Sequence, residues 1–331
     1  MEQQQKQRKS INLDERVCPE FKEKLAKAKH IFKDFPEDDF TEKRKEFHEM
    51  IKDFPTYKTD KVIEETKHIP GPENAPEIFV RIFRPKNSES GGKLPGLLWI
   101  HGGGQLFGHT DFTKYWCSIY AEQANCIAVA LDYRLTPENP YPASLEDCYA
   151  TLVWMRKATD EVGIDADRIA VGGDSAGGCL TAALCLLSRD RKGPKICFQM
   201  PLYPMLDDRN VTPSSYEIID ERVWNRHANI AAWKMYLKNY KDKEIPIYAA
   251  PTRAQDLSNL PPTFTFIGEL DLFRDETIDY VQRLMQAGVP VEFHIYSGCT
   301  HSFEWIFSDS EFTKRVLTTN VLALKNATHP S

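Results

Sequence analysis

Arg168-Ile169-Ala170-Val171-Gly172-Gly173-Asp174-Ser175-Ala176-Gly177-Gly178-Cys179-Leu180 is the stretch from which the architecture of this chain can be read. Residues 168–172 form a short, mostly apolar run and predict a buried strand. Residues 176–187 are small and apolar, which predicts a helix packed tightly beneath a sheet. Between the two lies Gly173-x-Ser175-x-Gly177. Its glycines permit a sharp, strained strand-to-helix turn that raises the serine at the carboxyl edge of the sheet. The same turn brings the unpaired N–H groups of the helix start beside the hydroxyl. A serine hydroxyl is a weak nucleophile at neutral pH and needs a base to take its proton. Alone, the pattern equally describes a glycine-rich turn without chemistry.

Three other strings also lie at the ends of expected strands. Leu97-Leu98-Trp99-Ile100 runs directly into His101-Gly102-Gly103-Gly104. The strand expected over residues 263–268 is followed by Asp271, and that over residues 291–296 by the loop Ser297-Gly298-Cys299-Thr300 and then His301. Nucleophile, acid and histidine in that order is the chain order of α/β-hydrolase catalysis. In this scheme His301 is the base, and Asp271 holds the imidazole in one tautomer and stabilises the imidazolium. Glu269 and Asp275 are rivals for the acid, although Asp275 and Glu276 also suit the first turn of the next helix. Of the nine histidines, only His301 has both the order and the location. His101 belongs to the glycine string, where it is expected to hold the loop by a hydrogen bond. Gly102, Gly103 and Gly104 let the backbone approach a bound carbonyl, and their N–H groups, with that of Ala176, can face the oxyanion of a tetrahedral intermediate. Phe107, Trp224 and Phe303 are candidate pocket residues, because they lie beside the glycine loop, in an inserted lobe and beside the base; ordinary aromatic packing explains them equally well.

The composition is that of a soluble globular protein. Of 331 residues, 41% are hydrophobic and 27% charged, with a net charge of −6. No basic cluster lies on a nucleic-acid motif, so nucleic acid is not expected as a partner. No run approaches the roughly 18 apolar residues of a membrane span, so no membrane insertion is expected. The N-terminus, Met1-Glu2-Gln3-Gln4-Gln5-Lys6, has no apolar run after its basic residue, which argues against a secretory signal and for a cytoplasmic location. Of eight cysteines, Cys126, Cys148, Cys179, Cys185 and Cys197 fall in expected strands and helices and read as buried thiols. No Cys-x-x-Cys or His-Glu-x-x-His spacing appears, so no metal is expected, and the chemistry requires no cofactor. The sequons at Asn210 and Asn326 are read as coincidence.

Apolar strands alternating with helices, at residues 78–83, 97–100, 126–131, 168–172, 195–200, 263–268 and 291–296, predict a mainly parallel sheet covered on both faces. Residues 1–58 carry apolar positions at helical spacing: Phe21, Leu25 and Ala28, then Phe40, Phe47, Met50 and Ile51. They read as a solvated helical pair or as a lid. The lobe over residues 207–260 interrupts the alternation. The last strand is a possible sheet edge, through which a homodimer could form.

Together these residues resemble the hormone-sensitive-lipase-like family of α/β-hydrolase carboxylesterases. The resemblance rests on His101-Gly102-Gly103-Gly104, Asp132-Tyr133-Arg134-Leu135-Thr136-Pro137-Glu138, Pro142-Ala143-Ser144-Leu145-Glu146-Asp147, Gly173-Asp174-Ser175-Ala176-Gly177-Gly178, Asp256-Leu257-Ser258-Asn259-Leu260-Pro261-Pro262 and Asp271-Leu272-Phe273-Arg274-Asp275-Glu276. It implies an α/β-hydrolase fold, a mostly parallel sheet flanked by helices, as a single domain over residues 1–331. It also implies a helical cap from residues 1–58 and 207–250 on a core of residues 59–206 and 251–331. Ser175, Asp271 and His301 would be the triad, and Gly103, Gly104 and Ala176 the oxyanion donors. The implied reaction is hydrolysis of short- to medium-chain acyl esters of small molecules. Gln105, Leu272 and Ser302 depart from the family's usual aromatic residue, proline and glycine, which bears on pocket shape. The same machinery would serve an amidase, a lactonase or a deacetylase. A small-molecule receptor on this scaffold is the other alternative, and the joint presence of Ser175, Asp271 and His301 argues against it.

Overall fold

The computed structural model describes residues 10–36, 40–52, 56–86 and 92–330. The expectation for residues 1–6, and the places of the Met50 and Ile51 side chains, lie outside them. Eight strands form one sheet: β1 (Val62–Ile69), β2 (Ile78–Pro85), β3 (Leu94–Ile100), β4 (Ile127–Leu131), β5 (Ile164–Asp174), β6 (Phe198–Leu202), β7 (Thr263–Leu270) and β8 (Val291–Thr300). Their order across the sheet is β1-β2-β4-β3-β5-β6-β7-β8. Strand β2 pairs antiparallel with β1 and β4, and every pairing from β4 to β8 is parallel. The helices of more than ten residues are α1 (Thr41–Ile51), α2 (Thr110–Gln123), α3 (Ala143–Lys157), α4 (Ala176–Asp190), α5 (Arg226–Tyr236), α6 (Arg274–Gln286) and α7 (Glu311–Thr328).

The central strands carry the core. All five residues of β4, Ile127-Ala128-Val129-Ala130-Leu131, are buried, as a strand covered on both faces requires. Every residue of α4 from Ala176 to Ser188 is buried too, so this helix is wrapped by protein on all sides. Helix α7 starts where Ser310 accepts a hydrogen bond from the Thr313 N–H, an N-cap that satisfies one orphan donor.

The sequence reading missed two elements. Strand β1 is an edge strand whose residues Glu64, Glu65, Thr66, Lys67 and His68 are exposed, so no apolar run marks it. Helix α2 is rich in aromatic and β-branched residues, which weakens its helical signal. Strand β6 runs past the expected end because Pro201 lies inside it, where a proline more often closes a strand.

The N-terminal residues form the short helices Leu13–Arg16 and Lys22–Ala26, and then α1, in place of a solvated pair. Phe21 and Leu25 are fully buried, and Phe40 is 1% exposed. This segment meets the inserted lobe by backbone bonds, Ile11 N–H to Glu217 O (3.0 Å) and Phe32 N–H to Glu221 O (3.2 Å). Arg222 ties the same two segments through Asp14 (2.9 Å). Among the described residues, no helix is long and apolar enough to cross a membrane. All eight cysteines are free thiols. Asn210 is 4% exposed, its amide bonded to Asp208 O, so the folded chain does not present this sequon.

Candidate active site

Each candidate residue follows a strand at the sheet's carboxyl edge, where open α/β sheets bind ligands. Strand β3 leads to His101, β5 to Ser175, β7 to Asp271 and β8 to His301. The Ser175 Oγ lies 2.8 Å from His301 Nε2. The opposite ring nitrogen, Nδ1, lies 2.7 Å from Asp271 Oδ2. Asp271 is fully buried, and its Oδ1 accepts from the Phe273 N–H (2.9 Å), which fixes the carboxylate's direction. Ser175 and His301 are each 5% exposed, so water is largely excluded.

Ser175 has φ 56° and ψ −115° and caps the start of α4. A non-glycine residue there is strained, and such strain persists only where surrounding packing holds it. The packing comes from the motif's glycines. A Cβ at Gly177 would run into the carbonyl oxygens of Ile100 and His101, so the turn and the glycine loop touch backbone to backbone. As the first residue of α4, Ala176 has an N–H with no carbonyl four residues earlier in the helix. Gly103 and Gly104, at φ 109° and 61°, shape the adjoining loop.

His101 holds that loop. Its Nδ1 lies 2.8 Å from Gly102 O, its ring stacks on Tyr133 at 4.2 Å, and the Tyr133 hydroxyl donates to His101 O (2.9 Å). Burial lowers its pKa to about 4, so it is neutral and suited to hydrogen bonding, not charge.

The rivals for the acid are engaged elsewhere. Glu269 binds Arg16, Ser297 Oγ (2.8 Å) and Gly298 N–H (3.0 Å). Asp275 accepts from Ser214 N–H (2.7 Å) and pairs with Arg274, and Glu276 accepts from the Leu206 (2.7 Å) and Asp207 (3.2 Å) N–H groups. Among the other histidines, His109 caps α2, His294 pairs with Glu292 and His30 with Glu221.

Trp224 lies against Gly104, and Phe107 follows the glycine loop. Both join an aromatic cluster with Phe35, while Phe47 stacks on Phe107 and Phe40 meets it edge-on. Phe303, expected at the pocket, lies away from the glycine-loop cluster that Phe107 and Trp224 join. Its ring sits in the core among Phe21, Phe266, Tyr296 and Phe312 because the helix Phe303–Ile306 turns it inward. Ser302 adopts φ 52° and ψ 33°, the left-handed conformation that accounts for the usual glycine there. Gln105 is buried and accepts from Ser144 Oγ (2.8 Å).

Two rings went unread in the sequence. Tyr203 and Phe273 stand edge-on to the His301 imidazole, with centroids 5.2 and 5.1 Å away. Tyr203 directly follows β6, so the strand-end rule that found the others points to it as well.

This fold and this arrangement define the α/β-hydrolase class. The alpha/beta hydrolase fold family model matches residues 97–305, and the chain belongs to that family, which includes the hormone-sensitive-lipase-like esterases. Esterase LipI of Mycobacterium tuberculosis is 37% identical over 235 residues, covering 71% of this chain and 73% of LipI. Carboxylesterase NlhH of the same organism is 37% identical over 230 residues, 69% of this chain and 71% of NlhH. The solved structure of a bacterial heroin esterase superposes with a TM-score of 0.88 at 34% identity, over 96% of this chain and all of that one.

Proposed function

We propose that this protein is a serine carboxylesterase acting on short- to medium-chain acyl esters of small molecules. The enzyme class, carboxylic ester hydrolase, follows from the family. The observation that carries the mechanism is the chain of contacts Ser175 Oγ to His301 Nε2 (2.8 Å) and His301 Nδ1 to Asp271 Oδ2 (2.7 Å). In the first half-reaction Ser175 attacks the ester carbonyl while His301 takes its proton. The tetrahedral oxyanion is held by the N–H groups of Gly103, Gly104 and Ala176. His301 then protonates the departing alcohol, leaving an acyl-Ser175. Water attacks by the same route and releases the acid.

The described residues of 1–58, together with 207–250, act as a cap over the carboxyl edge, with Phe107 and Trp224 bounding the acyl pocket. The aromatic cluster of Phe35, Phe107 and Trp224, which joins both segments to the glycine loop, supports this. Strand β8 is the edge through which a homodimer would form, and Ile295 there is 49% exposed; sedimentation as a monomer at micromolar concentration would discard that pairing. The deciding experiment is turnover of p-nitrophenyl acetate through palmitate by the protein and by Ser175→Ala. Fast cleavage of the short esters, lost in the variant, is the expected result; no cleavage of any ester would refute the reading.

A further inference from the structure

Next to His301 lies a second set of buried polar groups that the proposed mechanism does not use. Tyr203, whose ring flanks the imidazole, has φ 32°, an unusual backbone for so bulky a residue. Its hydroxyl donates to Glu304 Oε1. Glu304 sits three residues beyond His301 on the short helix Phe303–Ile306, and it is 4% exposed. A line of contact therefore runs from Glu304 through Tyr203 to the ring of the base.

The second carboxyl oxygen, Glu304 Oε2, has no protein partner. The buried Trp99 Nε1 and Asn320 Oδ1 are likewise without one, and the Tyr120 hydroxyl, unpaired at hydrogen-bond distance, has the Asn320 side chain beside it. All four belong to residues lining one internal cavity, along with Trp116 and Tyr203. The cavity leaves about 10 Å³ for the centre of a water molecule, close to the smallest space that holds one. The chemistry of the lining selects that occupant. Trp99 and Tyr120 offer donors, Asn320 an acceptor, and Glu304 an acceptor or a donor according to its protonation. A water, with two protons to give and two lone pairs to fill, matches this mix of donors and acceptors. An apolar guest would satisfy none, and an ion would meet groups of the wrong sign on one side.

We propose that this cavity is a binding site for one ordered water, and that water, Glu304 and Tyr203 form a unit that positions His301. Tyr203 and Glu304 are positioning residues: neither reaches the reacting atoms. The positioning half rests on the reading of His301 as the base, whereas the water site does not. Burial pushes the Glu304 carboxyl up to about 8, opposed by its bond from Tyr203 and helped by Asp174 and Asp271. The titratable groups facing it are those two carboxyls, the Tyr203 and Tyr120 hydroxyls and the Cys299 thiol. A water serves either state of Glu304, accepting from the acid and donating to the carboxylate by turning in place.

The test has two arms. A crystal structure of the full chain at about 1.5 Å should show a water within roughly 2.6–3.2 Å of at least three of the four atoms. A dry cavity, or one filled by a side chain, would overturn the site. In the second arm, Tyr203→Phe, Glu304→Leu and Glu304→Gln are assayed on p-nitrophenyl butyrate from pH 5.5 to 9.5. Tyr203→Phe and Glu304→Leu should lower kcat roughly tenfold with KM within about twofold, the mark of a misplaced base. Glu304→Gln, which still accepts from Tyr203, should restore kcat at neutral pH and flatten the change in rate near pH 8. Should Glu304→Leu not fold, Tyr203→Phe decides, since it removes one oxygen. Parental kcat and pH profile in Tyr203→Phe would overturn the positioning role. An unmutated protein with no esterase activity would remove the base reading and the positioning role with it, while the water stands or falls on the density alone.

Discussion

The indole of Trp224, from the inserted lobe, rests on Gly104 of the glycine loop so closely that a Cβ on Gly104 would overlap its Cη2 atom. The ring is held there by its N–H bond to Asn229 (3.2 Å) and by the edges of Phe32 and Phe35. The proposed pocket wall and the proposed oxyanion donor are therefore one packing unit. Trp224→Ala should open space over the loop and raise the ratio of kcat/KM for p-nitrophenyl octanoate over butyrate about tenfold, as roughly 1.4 kcal/mol of pocket contact would. An unchanged ratio would remove Trp224 from the pocket.

Gly104→Ala faces two obstacles, the indole and a φ of 61° that side chains resist. Displacing a single oxyanion donor costs about 100- to 1,000-fold in kcat. The expected result is a loss of that size in Gly104→Ala, only partly recovered when Trp224→Ala is added, because the backbone strain persists.

Asp271→Asn should lower kcat by about 10,000-fold, since an amide favours the wrong imidazole tautomer. Glu269→Gln and Asp275→Asn should keep kcat within a few-fold, because their carboxylates bind Ser297 and Ser214 instead. Steady-state kinetics on one ester ranks the three, and a larger loss in Glu269→Gln would reassign the acid.

Asp174 supplies a stability test. Its side chain is buried against Gly102, and burial pushes its carboxyl up from the ordinary 3.8 to about 7. Between those values the folded chain holds a proton that the unfolded chain releases. The favourable state is thus present below about pH 4 and is lost as the pH rises towards 7. Asp174→Asn does not titrate, so its Tm relative to the parent should be higher at pH 8 than at pH 5. An equal difference at both values would contradict the raised pKa.

Arg44 on α1 reaches four acceptor oxygens at once: Leu106 O (2.7 Å), Thr136 O (2.6 Å) and both oxygens of Glu138 (2.6 and 2.7 Å). A lysine, with one point charge, cannot serve them all. In Arg44→Lys, α1 should detach more often, and chymotrypsin should cut within residues 40–47 roughly tenfold faster, as a loss of about 1.4 kcal/mol implies. Cleavage at the parental rate would show that aromatic packing alone anchors the helix.

The parts of this protein legible in its sequence are those that depend on neighbours in the chain. Gly173-Asp174-Ser175-Ala176-Gly177 announces its turn because a strained serine needs small residues on both sides. The buried strands announce themselves as apolar runs, and the order of Ser175, Asp271 and His301 follows from one candidate residue per strand end. The polar edge strand β1 carried no such signal. Nor could local pattern show which distant side chains meet. Tyr203 and Glu304 are 101 positions apart, and Arg44 and Glu138 are 94 apart. Spacing alone left Glu269 and Asp271 as rivals. The register of β7 against β8 separated them, turning Asp271 to the imidazole and Glu269 to Ser297 and Gly298. Phe303 stands two residues from His301, yet a single helical turn buries it in the core. Periodicity and turn chemistry act over a few residues, whereas contacts between segments depend on strand order and close packing, which the whole chain sets together.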